Sequence, residues 1–111
     1  MFHRRLIPLL LAAADATSKG AQLMFMRSMA KELAPQRTRV NCVAPGWTET
    51  DMAKSNPDFS DHVDEIAESI PLGRPGLPED VGAAVSFLLS DLAPFITGST
   101  ITVDGGFDMR G

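Results

Sequence analysis

The stretch Arg39 to Met52, RVNCVAPGWTETDM, constrains this chain more than any other. Val40 and Val43 are β-branched and flank Asn41 and Cys42, so Arg39 to Ala44 reads as a short buried strand. Pro45 lacks a backbone donor and Gly46 permits a sharp turn, and together they end it. Thr48 and Thr50 follow in a loop that reads as exposed. A strand emptying into a polar loop is where open parallel α/β sheets place ligands.

The flanking segments supply helices. Ser18 to Leu33 reads as a helix with Ser18 as its cap. Leu23, Met26, Ala30 and Leu33 recur at helical spacing, and Met24, Phe25 and Met29 widen the apolar face. Such a helix is expected to be buried on more than one side, between a sheet and a partner chain. Its methionines read as core filling or subunit packing before an adaptable binding groove. Pro35 closes it, and Gln36 to Thr38 is a polar connection.

Ser55 to Ser60 reads as a loop with Asn56-Pro57 as its turn. Ser60 is expected to cap a helix through Ser69, with Val63, Ile66, Ala67 and Ile70 as its stripe. Asp61, His62, Asp64 and Glu65 could be drawn as metal ligands, but adjacent and i, i+3 acids are what a solvated helix face provides, so no metal is assigned. Pro71 to Pro78, PLGRPGLP, is a rigid turn in which Arg74 reads as a clamp on a carboxylate, with a ligand-anion contact as the alternative. Pro78 opens the next helix, whose core face is Val81, Ala84, Val85, Leu88 and Leu89. Ser99 to Asp104 alternates as a final strand, stopped by Gly105-Gly106. Phe107 and Met109 would then pack on a neighbouring subunit or close the end.

Two strands do not make a stable parallel sheet between helices. The expected fold is therefore α/β: the C-terminal portion of a Rossmann-like doubly wound parallel sheet, incomplete as a domain. The expected division is a divergent segment over 1–14 and a main region over 15–111. Within 1–14, Arg4 and Arg5 precede the apolar run Leu6 to Ala14, a signal-peptide-like pattern too short to span a membrane. The preferred reading is a strand or loop remnant, or a novel start joined to an older body.

Composition removes other classes. A net charge of -4 and the lack of a basic cluster argue against nucleic acid and against an anionic membrane surface. One cysteine, Cys42, allows no internal disulfide and fits a reducing, cytoplasmic setting. It reads as a small buried hydrophobe in the strand.

Taken in order, several motifs make a stronger statement than any one of them. They are Ser18-Lys19-Gly20-Ala21, Arg39 through Gly46, Thr48-Glu49-Thr50-Asp51-Met52, Pro71 through Val81, and Thr97-Gly98 through Val103-Asp104-Gly105-Gly106. From Asp15 onward the chain resembles the C-terminal part of a classical short-chain dehydrogenase/reductase. That resemblance implies a doubly wound sheet, NAD or NADP, and hydride transfer between the nicotinamide and a carbonyl or alcohol of unassigned structure. It also implies that Lys19 occupies the family's catalytic lysine position, against the ribose hydroxyls. Pro45 and Gly46 would lie beside the nicotinamide, Thr50 would touch its carboxamide or a phosphate, and Thr48 would make a backbone or loop contact.

The same resemblance exposes a defect. The family's tyrosine, four residues before the lysine, is Asp15 here, and the chain contains no tyrosine. A carboxylic acid titrates near pH 4, against about 10 for a phenol, so it is already deprotonated at neutral pH. A neighbouring Lys19 would hold it so. Asp15 reads instead as a helix-start residue. No G-x-G-x-x-G follows a strand, and the family's Asn-Asn-Ala-Gly stretch and catalytic serine are missing from the sequence. Two functions follow as expectations. The first is an oxidoreductase-family fragment, inactive and with weak or no cofactor binding as an isolated chain. The alternative is a non-enzymatic homo-oligomerisation or protein-interaction module using the 18–33 helix.

Overall fold

The computed structural model describes the backbone of residues 3–109, with side chains described from Thr17 onward. The elements are helices and a small two-stranded sheet, an α/β composition. Contacts divide the chain into two compact units: Met1–Cys42 with Thr97–Ser99, and Val43–Ile96 with Thr100–Gly111.

The first unit is dominated by α1, His3–Leu33. Ser18 is therefore inside the helix and is not its cap. The leucines and alanines upstream are strong helix formers and extend the helix past the expected start. The backbone of α1 also runs across the expected boundary at residue 15. Ala34–Gln36 tightens into a 3₁₀ turn, and Arg37 stops it in a left-handed conformation with φ 59°. Pro35 lies within that turn, as its inability to continue the α-helical ladder requires.

Met26 and Ala30 are buried, and Leu23, Met29 and Leu33 are half-buried, so the expected stripe is present. The wider burial is not. Met24 is 60% and Phe25 68% exposed, so that side of the helix is left uncovered by the described residues. Residues 39–41 are held by mixed bonds: Val40 N–H donates to Thr97 Oγ1 (3.1 Å), Gly98 N–H to Val40 O (2.8 Å) and Ser99 N–H to Asn41 Oδ1 (3.1 Å). Side chains substitute there for backbone partners. The regular strand β1 consequently spans Cys42–Pro45, displaced from the expected Arg39 to Ala44. It is half-buried along most of its length, and Cys42 with it.

In the second unit β1 is followed by α2 (Asp51–Lys54), α3 (Pro57–Ser60), α4 (Val63–Ser69), α5 (Pro78–Leu89) and β2 (Thr100–Val103). β1 and β2 pair in one two-stranded sheet. The rungs Cys42 N–H to Ser99 O and Gly46 N–H to Val103 O advance together along both strands, which makes them parallel. β2 alternates as expected, with Ile101 and Val103 half-buried and Thr100 and Thr102 exposed.

The region read as a loop before Ser60 contains the short helix α3. Asn56 caps it by accepting from Asp58 N–H at 2.9 Å, and Pro57 fits its first position. Ser60 therefore ends α3, and α4 starts after His62. The stripe of α4 serves as expected: Ile66 and Ile70 bury against Phe59, with Ala53 and Val63 packed on the cluster. Full burial of each such large side chain is worth about 1.5–3 kcal/mol.

The expected core face of α5 is realised in part: Leu88 is buried and Val81 and Ala84 are half-buried, but Val85 is 38% and Leu89 78% exposed. A two-stranded sheet has too little width to cover that helix. Among the described residues no helix is long and apolar enough to cross a membrane.

Candidate functional site

The site is built from the turn after β1. Its first requirement is close approach. A Cβ on Gly46 would stand 2.5 Å from Asp104 Cβ and 3.0 Å from Asp104 Cα. The glycine is needed for that contact rather than for a left-handed turn, since Gly46 is not among the glycines with positive φ. Asp104 in turn shapes the end of β2. Its Oδ1 accepts from Gly106 N–H at 2.9 Å and its Oδ2 from Asp108 N–H at 3.0 Å. Gly105, with φ 64°, packs where a side chain would meet Ile70 Cγ2.

Beyond Gly46 the chain is tied down by both threonines, and neither is fully exposed. The Thr48 hydroxyl donates to Gly46 O at 2.9 Å. Thr50 caps α2, its Oγ1 accepting from Ala53 N–H at 3.0 Å. Thr50 keeps a hydroxyl proton to donate, because a hydroxyl both donates and accepts. A parallel bridge joins Thr48 to Gly76, with Gly76 N–H donating to Trp47 O and Glu49 N–H to Gly76 O, both at 2.8 Å. The Trp47 ring lies 6.1 Å from that of Phe59, tilted by 35°.

These elements enclose an open, mostly apolar depression lined by Pro45, Gly46, Trp47, Thr48, Thr50, Ala53 and Phe107. Pro45, Gly46, Thr48 and Thr50 are thus brought together. Lys19 belongs to the other unit, at an exposed position on α1. The Asp15 side chain lies outside the described residues. Phe59 and Met52 do not line the depression: Phe59 is buried in the core and Met52 is 81% exposed.

Two contributors escaped the sequence reading. Phe107 was expected to close the chain or meet a neighbour, yet it lines this depression. Asp104 read as the end of a strand and as part of the Val103 to Gly106 motif, without a role at the site. The Asp-Gly-Gly sequence was the available signal, since an aspartate before glycines favours a side-chain-to-backbone turn.

Arg74 is a clamp. Its Nη1 donates to Asp80 Oδ2 at 2.8 Å and to Pro75 O at 3.0 Å, and Nη2 lies 3.3 Å from Asp80 Oδ1. Asp80 Oδ2 also accepts from Leu77 N–H at 2.7 Å. The hydrogen bond from Arg74, then that from Leu77, pulls the Asp80 carboxyl down to about 2. Its carboxylate likewise pushes the Arg74 guanidinium up. The His62 imidazole lies 3.5 Å from a Glu65 carboxylate oxygen on a solvent-facing surface. Among the described residues no cluster could hold a metal.

A family model described as enoyl-(acyl carrier protein) reductase matches residues 10–108. The chain belongs to the short-chain dehydrogenase/reductase family. A 3-oxoacyl-(acyl-carrier-protein) reductase of Aquifex aeolicus is 48% identical over 92 residues, 82% of this chain and 36% of that protein. An uncharacterized oxidoreductase of Bacillus subtilis is 46% identical over 90 residues, 81% of this chain and 36% of its own length. A short-chain dehydrogenase/reductase of Brucella melitensis, titled glucose/ribitol dehydrogenase, superposes with a TM-score of 0.78 at 40% identity, covering 85% of this chain and 37% of that one. The chain therefore spans little more than a third of the length of these family members.

Proposed function

We propose that this chain supplies the nicotinamide-side wall of an NAD(P)-dependent carbonyl/alcohol oxidoreductase, and that it is inactive as an isolated chain. The observation that carries the reading is the depression at the end of β1, lined by Pro45, Gly46 and Trp47 together with Thr48 and Thr50. Apolar walls with a few placed hydroxyls fit the ring end of such a cofactor. Its pyrophosphate has no comparable match, since no G-x-G-x-x-G occurs in the sequence.

When bound, the cofactor supplies the hydride. Thr50 would donate to its carboxamide or a phosphate, and Gly46 would let the backbone lie close to the ring. Lys19 would take the ribose hydroxyls. The acid that protonates the substrate oxygen would be a tyrosine at position 15, where this chain has Asp15. The similarity to 3-oxoacyl-(acyl-carrier-protein) reductases supports a 3-oxoacyl group as the carbonyl substrate. In this reading 1–14 is a divergent segment, 15–111 carries the family frame, and a lone cysteine fits the cytoplasm.

Isothermal titration of the chain with oxidised and reduced NAD and NADP tests the proposal, paired with a turnover assay on the Asp15→Tyr variant. Weak or undetectable binding is expected, because a few contacts must offset about 4–15 kcal/mol of lost rigid-body freedom. No turnover above the enzyme-free blank is expected even in Asp15→Tyr. One-to-one micromolar binding, or stoichiometric cofactor oxidation, would overturn the reading of an inactive chain.

A second reading, a homo-oligomerisation or interaction module, is favoured by the exposure of Met24 and Phe25 on α1. Light scattering after size exclusion, at several concentrations, decides it. A reversible, discrete oligomer supports the module and a monomer removes it.

A further inference from the structure

We propose that Arg74 and Asp80 are positioning residues for the Trp47–Thr50 turn, acting through Gly76. The route is continuous and lies within one compact unit. Asp80 sits in the first turn of α5, where a carboxylate is favoured by the helix N-terminus. From there it accepts from Leu77 N–H and from Nη1 and Nη2 of Arg74. Arg74 Nη1 also donates to Pro75 O, and Pro75 is buried. Residues 75 and 76 are thereby fixed from both sides.

Gly76 passes that fixation on. Its N–H donates to Trp47 O and its carbonyl accepts from Glu49 N–H, so both backbone groups of one residue hold the turn. The approach is close: a Cβ on Gly76 would lie 3.5 Å from Trp47 O and 3.7 Å from Thr48 Oγ1. A forked guanidinium–carboxylate pair is directional in a way that a lysine ammonium is not, so the geometry of residues 74–80 is transmitted rather than merely its charge. Neither Arg74 nor Asp80 lines the depression. Their hydrogen-bonded link to it runs through the backbone of Gly76, with a Coulombic attraction between Arg74 and Glu49 beside it.

Calling the depression a ligand site rests on the function proposed above. The readout does not, because Trp47 is the chain's single tryptophan and reports its surroundings with or without cofactor. Asp80→Asn is expected to shift Trp47 emission to the red and raise its quenching by acrylamide, with far-ultraviolet circular dichroism unchanged. Arg74→Lys should fall between Asp80→Asn and the parent. Asp64→Asn, an equal loss of charge on the exposed face of α4, should leave Trp47 as it is. A folded Asp80→Asn with parental emission and quenching would overturn the proposal, as would an equal response from Asp64→Asn. Hydrogen exchange on the parent chain covers the case in which Asp80→Asn does not fold. The Gly76 and Glu49 amides should be protected together with that of Leu77. Exchange of Gly76 and Glu49 at open-loop rates beside a protected Leu77 would refute the linkage.

Discussion

The Gly46 to Asp80 region and the outer faces of α1 and α5 are built on opposite terms. The first satisfies itself. Thr48, Thr50, Asn56, Gly76 and Asp80 each find a partner a few residues away or across one bridge, and Phe59, Ile66 and Ile70 supply a local core. The second does not: Met24 and Phe25 on α1, and Leu89 on α5, remain largely exposed. Hydrogen bonds and caps close over short distances, whereas an apolar helix face needs an opposing surface of similar extent. A chain with a two-stranded sheet can complete the polar framework of a site while leaving its packing faces uncovered.

The largest expected effect would break the self-sufficient side of that comparison at its core. Phe59→Ala should cost about 3–5 kcal/mol, the usual penalty for truncating a buried phenylalanine. Urea unfolding reads it directly. In contrast, Phe25→Ala on the exposed face of α1 should stay within about 0.5 kcal/mol. Similar losses for the two would mean that the α1 face is packed in solution.

Gly46→Val comes next. Even its first side-chain carbon would collide with Asp104, so a loss of about 1–3 kcal/mol or more is expected from forced overpacking. Thr50→Ala should cost less, about 1 kcal/mol, as the loss of one helix cap. Equal urea midpoints and slopes for the two would show that the Gly46–Asp104 contact is absent in solution.

The smallest effect is a pH dependence that sharpens the comparison without touching the core. The Asp80 carboxyl is held at about 2, below the ordinary carboxylate value near 4. A depressed carboxyl stabilises the fold above its unfolded value and loses that contribution as pH falls through the folded one. The difference in urea midpoint between the parent and Asp80→Asn should therefore be constant above about pH 5 and shrink between about pH 4 and 2. Because the pair is exposed, that difference should be small and reduced by salt. A difference that persists unchanged to pH 2 would rule out the charged clamp as its cause.

Much of this molecule was legible in the sequence. The stripes of α1 and α4, the alternation of β2, the stop at Pro35 and the Arg74 clamp all follow from short-range rules of spacing, backbone restriction and charge. Family membership was legible too, in the order of the motifs from Ser18 to Gly106. Element ends were less so. Ser18 and Ser60 have capping side chains, but their neighbours continue α1 through the one and end α3 at the other. A cap residue permits a helix start; only the competition among adjacent segments selects it.

What the tertiary structure alone decided lies in contacts between residues distant in sequence. No local pattern says that Gly46 must be bare because Asp104 lies against it, or that Gly76 bonds on both sides to the Trp47–Glu49 turn. Nor does any pattern place Phe107 beside Pro45 and Thr50 in one depression. The amino-acid order determined which segments are helix, strand and turn, because those preferences are settled within a few residues. The pairing of two parallel strands more than fifty residues apart decided which of them meet at the site.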